Sequence, residues 1–197
     1  MFALPFFRRD LPSLRGDRIT LRLPEPSDYR AWSTLRLASR AFLEPWEPRW
    51  LPDELDSPAW RQRLRRTRED FEQGLSAAFL IFETRSGKLL GGITVGNIRH
   101  GVAQSCQIGY WIGERYSGQG YMQEAVRLAT RFCFGQLMLH RIEAACIPDN
   151  ARSIHVLEKA GFQREGLLRS YLRINGSWQD HYLYALIADE PGSKARG

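Results

Sequence analysis

The residues best placed to do chemistry lie in one short run, Arg115-Tyr116-Ser117-Gly118-Gln119-Gly120, between a strand-like and a helix-like segment. Before it, Ile108, Tyr110 and Ile112 alternate with Gly109 and Trp111 at the two-residue period of a strand, and Gly113 ends the pattern. After it, Met122, Ala125, Val126, Ala129 and Cys133 recur at the spacing of one helix face. A helix start has backbone N–H groups without partners and a partial positive charge, and glycines ahead of it let an anion reach them. Arg115 adds a cation at the rim. The expected guest is a phosphate or pyrophosphate. The run lacks the Gly-Lys-Ser/Thr ending of a P-loop, since Tyr121 and Met122 follow it, and it lacks the three-glycine spacing of a dinucleotide fold. A plain turn is the competing reading of a glycine pair.

These residues need a scaffold, and the chain supplies one in order. Ile19, Leu21 and Leu23 alternate with Arg18, Thr20 and Arg22, which predicts a half-buried strand ending at Pro24. Ser27 then reads as the N-cap of a helix over residues 28–40, with Ala31, Trp32 and Leu35 on one side. Phe42, Trp46 and Trp50 cluster in a segment where Pro45 and Pro48 forbid regular structure, so it must pack or bind something. Ser57-Pro58 opens a second helix whose stripe is Trp60, Leu64 and Phe71, closed by Gly74. Strands are expected over residues 78–83 and 88–98, with Gly91, Gly92 and Gly96 marking bends or bulges. Past the long helix come a strand over residues 141–147, a helix capped by Asn150 and closed by Gly161, and a hairpin turning at Asn175-Gly176.

The chain has 197 residues, 43% of them hydrophobic, and fits one α/β domain. Residues 1–16 read as an arm, residues 17–188 as the domain and residues 189–197 as a polar tail. Cys106, Cys133 and Cys146 are odd in number and lack metal spacing, which fits reduced thiols in a cytoplasm. No metal is assigned: His100, His155 and His181 have neither the spacing nor the neighbours for one. The opening apolar run is too short for a signal or membrane helix. Much of the net charge of +6 sits on one helix, at Arg61, Arg63, Arg65, Arg66 and Arg68, and reads as a solvated face with no direct nucleic-acid binding expected.

Laid end to end, the order is β-α-α-β-β-β-α-β-α-β-β. Together with Arg-x-x-Gly-x-Gly after a strand and Asn150-Ala-Arg-Ser153 ahead of Glu158-Lys-Ala-Gly161-Phe162, this order resembles the GNAT N-acetyltransferases over residues 17–188. Phe42-Leu-Glu-Pro45-Trp46-Glu47-Pro48 and the ending from Tyr171 to His181 are similar to the RimJ and RimL branch, whose members acetylate the N-terminal amine of ribosomal proteins.

The resemblance implies a GNAT fold, a mixed but mostly antiparallel sheet of about seven strands flanked by about four helices. It also implies a splay between the fourth and fifth strands, here residues 107–112 and 141–147. Acetyl-coenzyme A is the implied cosubstrate. Tyr110, Trp111 and Ile112 are expected beside its pantetheine arm, Arg115, Tyr116, Ser117, Gly118, Gln119, Gly120, Tyr121 and Met122 around its pyrophosphate, and Asn150 and Ser153 on the opposite wall. An N–H at Ile112 or its neighbour is expected to meet the oxyanion. Ser153 is the expected donor to the leaving thiolate, its plainer reading being a first-turn helix serine. Leu157 stands where other branches carry a tyrosine.

The central strand has no Asp or Glu to act as base. A peptide α-amine costs only about 1 kcal/mol to hold neutral at pH 7, against about 4.6 kcal/mol for a lysine amine, so a site without a strong base suits the α-amine. If a side chain serves, Glu47 is the candidate, and Phe42, Trp46 and Glu47 are the candidate substrate contacts. Ordinary core is the plainer reading of the two aromatics. The leading acceptor is a protein N-terminus, a ribosomal protein first, by direct transfer in a ternary complex. A small amine or a non-catalytic coenzyme A-binding factor are the other readings, and monomer and homodimer both stay open.

Overall fold

Alternation of side chains along β3 (Ala77–Glu83) sets the layers of the molecule. Phe79 and Ile81 join the main core, where Phe79 meets Phe132 edge-on at 5.5 Å. Leu80 and Phe82 turn the other way, into a second core with Trp32, Leu35 and Trp60. The sheet is therefore covered on both faces. The computed structural model describes residues 12–188; residues 1–11 of the expected arm and the tail from 189 to 197 lie outside the described residues.

The other strands are β1 (Ser13–Arg15), β2 (Ile19–Arg22), β4 (Leu89–Arg99), β5 (Ser105–Ile112), β6 (Arg141–Cys146), β7 (Gln163–Ile174) and β8 (Ser177–Ile187). They form one sheet in the order β1-β2-β3-β4-β5-β6-β8-β7. Among the described residues the expected seven strands are eight. Ser13–Arg15, assigned to the arm from sequence, pairs antiparallel with β2 and sets Leu14 opposite Leu21. Three residues are too few to show a period, so the strand was not legible.

Among the described residues five α-helices flank the sheet where about four were expected: α1 (Tyr29–Ala38), α2 (Arg40–Leu43), α3 (Ser57–Glu72), α4 (Tyr121–Arg131) and α5 (Ala151–Lys159). The extra one is the single turn α2, split from α1 at Ser39, whose hydroxyl accepts the Glu114 N–H at 3.0 Å. Ser27 does not cap α1. It lies in a 3₁₀ turn, Pro26–Asp28, and Asp28 accepts the Glu25 N–H at 2.8 Å while Arg22 holds its carboxylate from 2.7 Å. Asp28 occupies the N-cap position of α1 without a side-chain bond to the helix, its buried carboxylate being committed to Arg22 and the Glu25 N–H. The remaining punctuation stands as expected. Asn150 accepts the Ser153 N–H at 3.1 Å, Gly161 adopts φ +92°, and the hairpin turns through Asn175 and Gly176 at φ +44° and +87°. No helix among the described residues is long and apolar enough to cross a membrane.

One strand pair is parallel, β5 with β6, and such a pair needs a long crossover, which α4 supplies. α4 buries Met122, Ala125, Val126 and Ala129 and continues into a π turn, Phe132–Gln136, that places Cys133 in the core with its sulfur 3.6 Å from Cys106. Pairing of β5 with β6 covers only Ser105↔Arg141, Cys106↔Ile142 and Gln107↔Glu143. Beyond it each strand keeps its outer neighbour, β5 with β4 to Ile112↔Gly91 and β6 with β8 to Cys146↔Tyr182. The expected splay is present, between the fifth and sixth strands of the eight.

Ile142 is fully buried at the zipped end of this pair. Ile142→Ala is expected to lower unfolding stability by about 3 kcal/mol, seen as a reduced urea midpoint with an unchanged slope.

Candidate active site

Backbone direction decides what the splay offers. The Gly113 N–H donates to the Leu90 carbonyl at 2.8 Å, and amide directions alternate along a strand. The N–H and C=O groups of Tyr110 and Ile112 therefore aim away from β4, into the gap beside β6. Backbone groups in such a place demand a partner. Gly91 and Gly92 permit the arrangement: a Cβ on Gly92 would lie 2.5 Å from the Trp111 indole nitrogen, and one on Gly91 2.3 Å from the Trp111 carbonyl. The two glycines thus mark a close approach of β5 to β4. The irregularities fall beside the expected glycines: the β3–β4 register shifts where Ile81 faces Gly91 and Phe82 faces Leu89, and the β4–β5 register shifts between Gly96 and Arg99.

The gap opens into a cavity of about 780 Å³. One end is the glycine loop. Gly118 and Gly120 take φ +74° and +80°, and α4 begins at Tyr121 with no side chain capping it. Tyr116, Ser117, Gly118, Gly120, Tyr121, Met122 and Gln123 line the cavity there. Arg115 and Gln119 are not in its wall. Arg115 lies over the Tyr116 ring at 4.8 Å, and Gln119 donates to the Arg115 carbonyl at 2.7 Å, closing the loop from outside. Sequence reasoning missed the brace behind this loop. Arg18 donates to the Gln119 carbonyl at 3.0 Å, to Glu124 at 3.2 Å, and covers Tyr121 at 4.8 Å, while its backbone N–H also donates to Glu124 at 2.9 Å. An acid within the apolar face of α4, Glu124, was the available signal, because a buried carboxylate requires a donor.

The second wall comes from α5. The Tyr110 hydroxyl lies 3.0 Å from Ser153 Oγ and 3.3 Å from the Ser153 carbonyl, joining the two sides of the gap. Burial pushes the Tyr110 phenol well above its ordinary range, so it stays protonated. Burial likewise lifts the Cys146 thiol to about 11, with the charge of Glu158 adding to it. Of the cysteines left open by sequence, Cys146 lines the cavity, whereas Cys106 is sealed against Cys133 in the core. Leu157 is buried at 1% exposure and offers no hydroxyl.

The third wall is built from Phe42, Trp46 and Glu47 together with Leu172, Arg173, Ile174 and His181 of the hairpin. The Asn175 N–H donates to the Glu47 carbonyl at 2.8 Å and joins these two segments. Phe42 packs under Arg152 at 4.4 Å. Both Glu47 oxygens accept from Arg36 at 2.7 Å, and one also accepts from the Trp50 indole at 2.9 Å. The Arg36 guanidinium sits between Trp50 at 4.2 Å and Trp111 at 4.9 Å. Glu47 thus has a holding task, and the proton-accepting role expected of it would require that tie to open. Arg36 was not singled out from sequence, although a basic residue beside Leu35 on the inward side of α1 calls for a buried acid.

An open mixed sheet with one parted parallel pair, whose gap runs to an uncapped helix start, defines an acyltransferase of the GNAT type. The acetyltransferase (GNAT) domain model matches residues 18–163, and the chain belongs to that family. Within it, the chain is 34% identical over 186 residues to the [ribosomal protein uS5]-alanine N-acetyltransferase of Escherichia coli, covering 93% of this chain and 96% of that protein. Among solved structures it is similar to Mycobacterium smegmatis RimJ in complex with CoA-disulfide, at 36% identity and a TM-score of 0.85, covering 92% and 88% of the two chains. It is also similar to the ribosomal-protein-S5-alanine acetyltransferase of Vibrio fischeri, at 32% identity and a TM-score of 0.84, covering 91% and 98%.

The buried ion pair gives a direct test. Glu47→Ala leaves the Arg36 charge enclosed without a counter-charge and is expected to cost about 3 kcal/mol, while Arg36→Met combined with Glu47→Ala recovers much of that loss. Urea denaturation of the three proteins reads the difference.

Proposed function

We propose that this chain transfers the acetyl group of acetyl-coenzyme A directly to the α-amine of a protein N-terminus, a ribosomal protein being the first acceptor to try. The observation that carries the reading is the continuity of the β5–β6 gap with the uncapped start of α4. Tyr110 and Ile112 present backbone groups that an extended, amide-bearing pantetheine would satisfy as an added strand does. The amides from Gly118 to Met122 would hold the diphosphate. The E. coli and M. smegmatis relatives, with the acceptor and the ligand in their names, support the same reading. It implies a cytoplasmic enzyme.

The chemistry joins an uncharged nitrogen to a thioester carbonyl and expels a thiolate. The Ile112 N–H is aimed where the carbonyl oxygen gains charge. Ser153 is set to donate to the departing sulfur, and Tyr110, kept protonated by burial, stands behind Ser153 to resupply it. Asn150 fixes Ser153 by accepting its backbone N–H. Among the described residues lining the cavity the only acid is Glu47, which Arg36 neutralises. A polycationic small amine would meet no free carboxylate there, and an N-terminal amine needs none.

Acetyl-coenzyme A is to be offered with a peptide bearing a free N-terminal alanine and with the same peptide N-terminally blocked but containing lysine. Acetylation of the free N-terminus alone is expected; modification only of lysine or of small amines would overturn the acceptor. Gly118→Glu is expected to abolish coenzyme A binding by calorimetry with an unchanged circular dichroism spectrum, because a carboxylate there repels phosphate. Ser153→Ala is expected to lower kcat about 100-fold while leaving coenzyme A affinity intact.

A further inference from the structure

We propose that His181 is the group that takes the proton from the incoming amine. The sequence gives His181 no catalytic role, and nothing in the reaction so far described uses it. His181 stands on β8 one residue beyond the last pairing of β8 with β6, and it lines the cavity at 3% exposure. Its Nδ1 lies 3.0 Å from the Gln179 carbonyl. A carbonyl oxygen only accepts, so Nδ1 carries the proton and Nε2 carries the free lone pair. Nε2 has no hydrogen-bond partner among the described residues. The side-chain nitrogens and oxygens that are both enclosed and unpartnered there are Arg36 Nε, Trp60 Nε1, Ser105 Oγ and Thr130 Oγ1. His181 Nε2 is not one of them, so it opens to the cavity.

The surroundings hold the ring in this attitude. The β7–β8 register shifts between Leu168, which pairs with His181, and Leu172, which pairs with Gln179, so the bulge lies opposite Asp180 beside His181. In that bulge Ser170 takes φ +45° and donates its N–H to Asp180 at 2.7 Å. The bulge delivers Tyr171, whose ring meets the imidazole edge-on at 5.7 Å. The Tyr171 hydroxyl accepts from Gln107 at 3.5 Å, and Gln107 also donates to Glu143 at 3.4 Å. The charged and titratable groups that share this cavity with His181 or are tied to its neighbours are Tyr171 and Arg173 from β7, Glu143 through Gln107, Asp180 on its own strand, Cys146 on the adjoining β6, Arg152 and His155 from α5, Glu47 tied to Arg36, and Tyr110 across the gap.

The proposal rests on the acetyl-transfer reading above. An α-ammonium group gives one proton to Nε2, and the freed lone pair attacks the thioester carbonyl carbon. The C–N bond forms and the C–S bond breaks with its electron pair on sulfur. One of the two remaining nitrogen protons ends on that sulfur through Ser153, the other stays in the amide, and the imidazolium returns its proton to water.

Full-length His181→Gln is to be compared with wild type across about pH 6 to about pH 9, with saturating acetyl-coenzyme A and a peptide acceptor. A fall in kcat/KM on the order of 100-fold near neutrality is expected, with coenzyme A affinity unchanged and the enzyme-borne acidic limb lost, so that the residual rate follows the acceptor amine's own titration. A variant as active as wild type, or a loss equal at every pH with the limb retained, overturns the assignment. ¹⁵N spectra of histidine-labelled wild type decide independently of activity and of the variant's folding: Nδ1 protonated and Nε2 bare is expected, and a proton on Nε2 overturns it. Wild-type turnover is read first, because its absence on every amine would overturn the acetyl-transfer reading and His181's role with it.

Discussion

A sheet that stops pairing halfway along two central strands carries an obligation, since amides turned toward a gap must find partners. Here that obligation falls on Tyr110 and Ile112, and the rest of the structure makes it tolerable. β5 is held on its far side by β4 as far as Ile112, and β6 by β8 as far as Cys146. α4, α5 and the core cysteines close the zipped end. The gap is thus an opening between two strands that are each bonded on their outer side, and the proposed function fills it with an extended guest that carries its own amides.

The site borders are fixed by interactions of three kinds. At the α4 end the glycine loop is positioned from behind by Arg18 and Glu124. Across the gap the Tyr110 phenol of β5 and the Ser153 hydroxyl of α5 meet at 3.0 Å and join the two walls. At the hairpin end a guanidinium between two indoles holds a carboxylate and, through it, the aromatic-proline loop. The aromatic faces and the fork of Arg36 explain why a charge can be buried here, because each part of the guanidinium except Nε has a partner.

Much of this was legible in the residues themselves. Local chemistry carried it where one residue type has one conformational use: Asn175-Gly176, Gly161 and Asn150 each do what their types predict. The glycine loop was legible because strand period, turn and helix period follow one another without a break. What escaped depends on contacts between residues far apart in the chain. Ser27 looked like a cap until Arg22 and Asp28 are seen together, and Glu47 looked free until Arg36 is placed beside it, eleven positions away and on another element. His181 reads as an ordinary strand residue in sequence, and only the cavity and the Gln179 carbonyl give its two nitrogens different duties. β1 was missed for a simpler reason, being too short to declare a period.

The bond from the Asn175 amide to the Glu47 carbonyl spans two segments separated by most of the chain. Anyone seeking to retarget the enzyme by loop grafting inherits a modularity rule from it. The part from β4 through α5 can be left untouched, but the aromatic-proline loop and the hairpin tip behave as one cassette. Transplanting either without its mate would leave a mismatched seam along this wall of the cavity, so such swaps should travel as a pair.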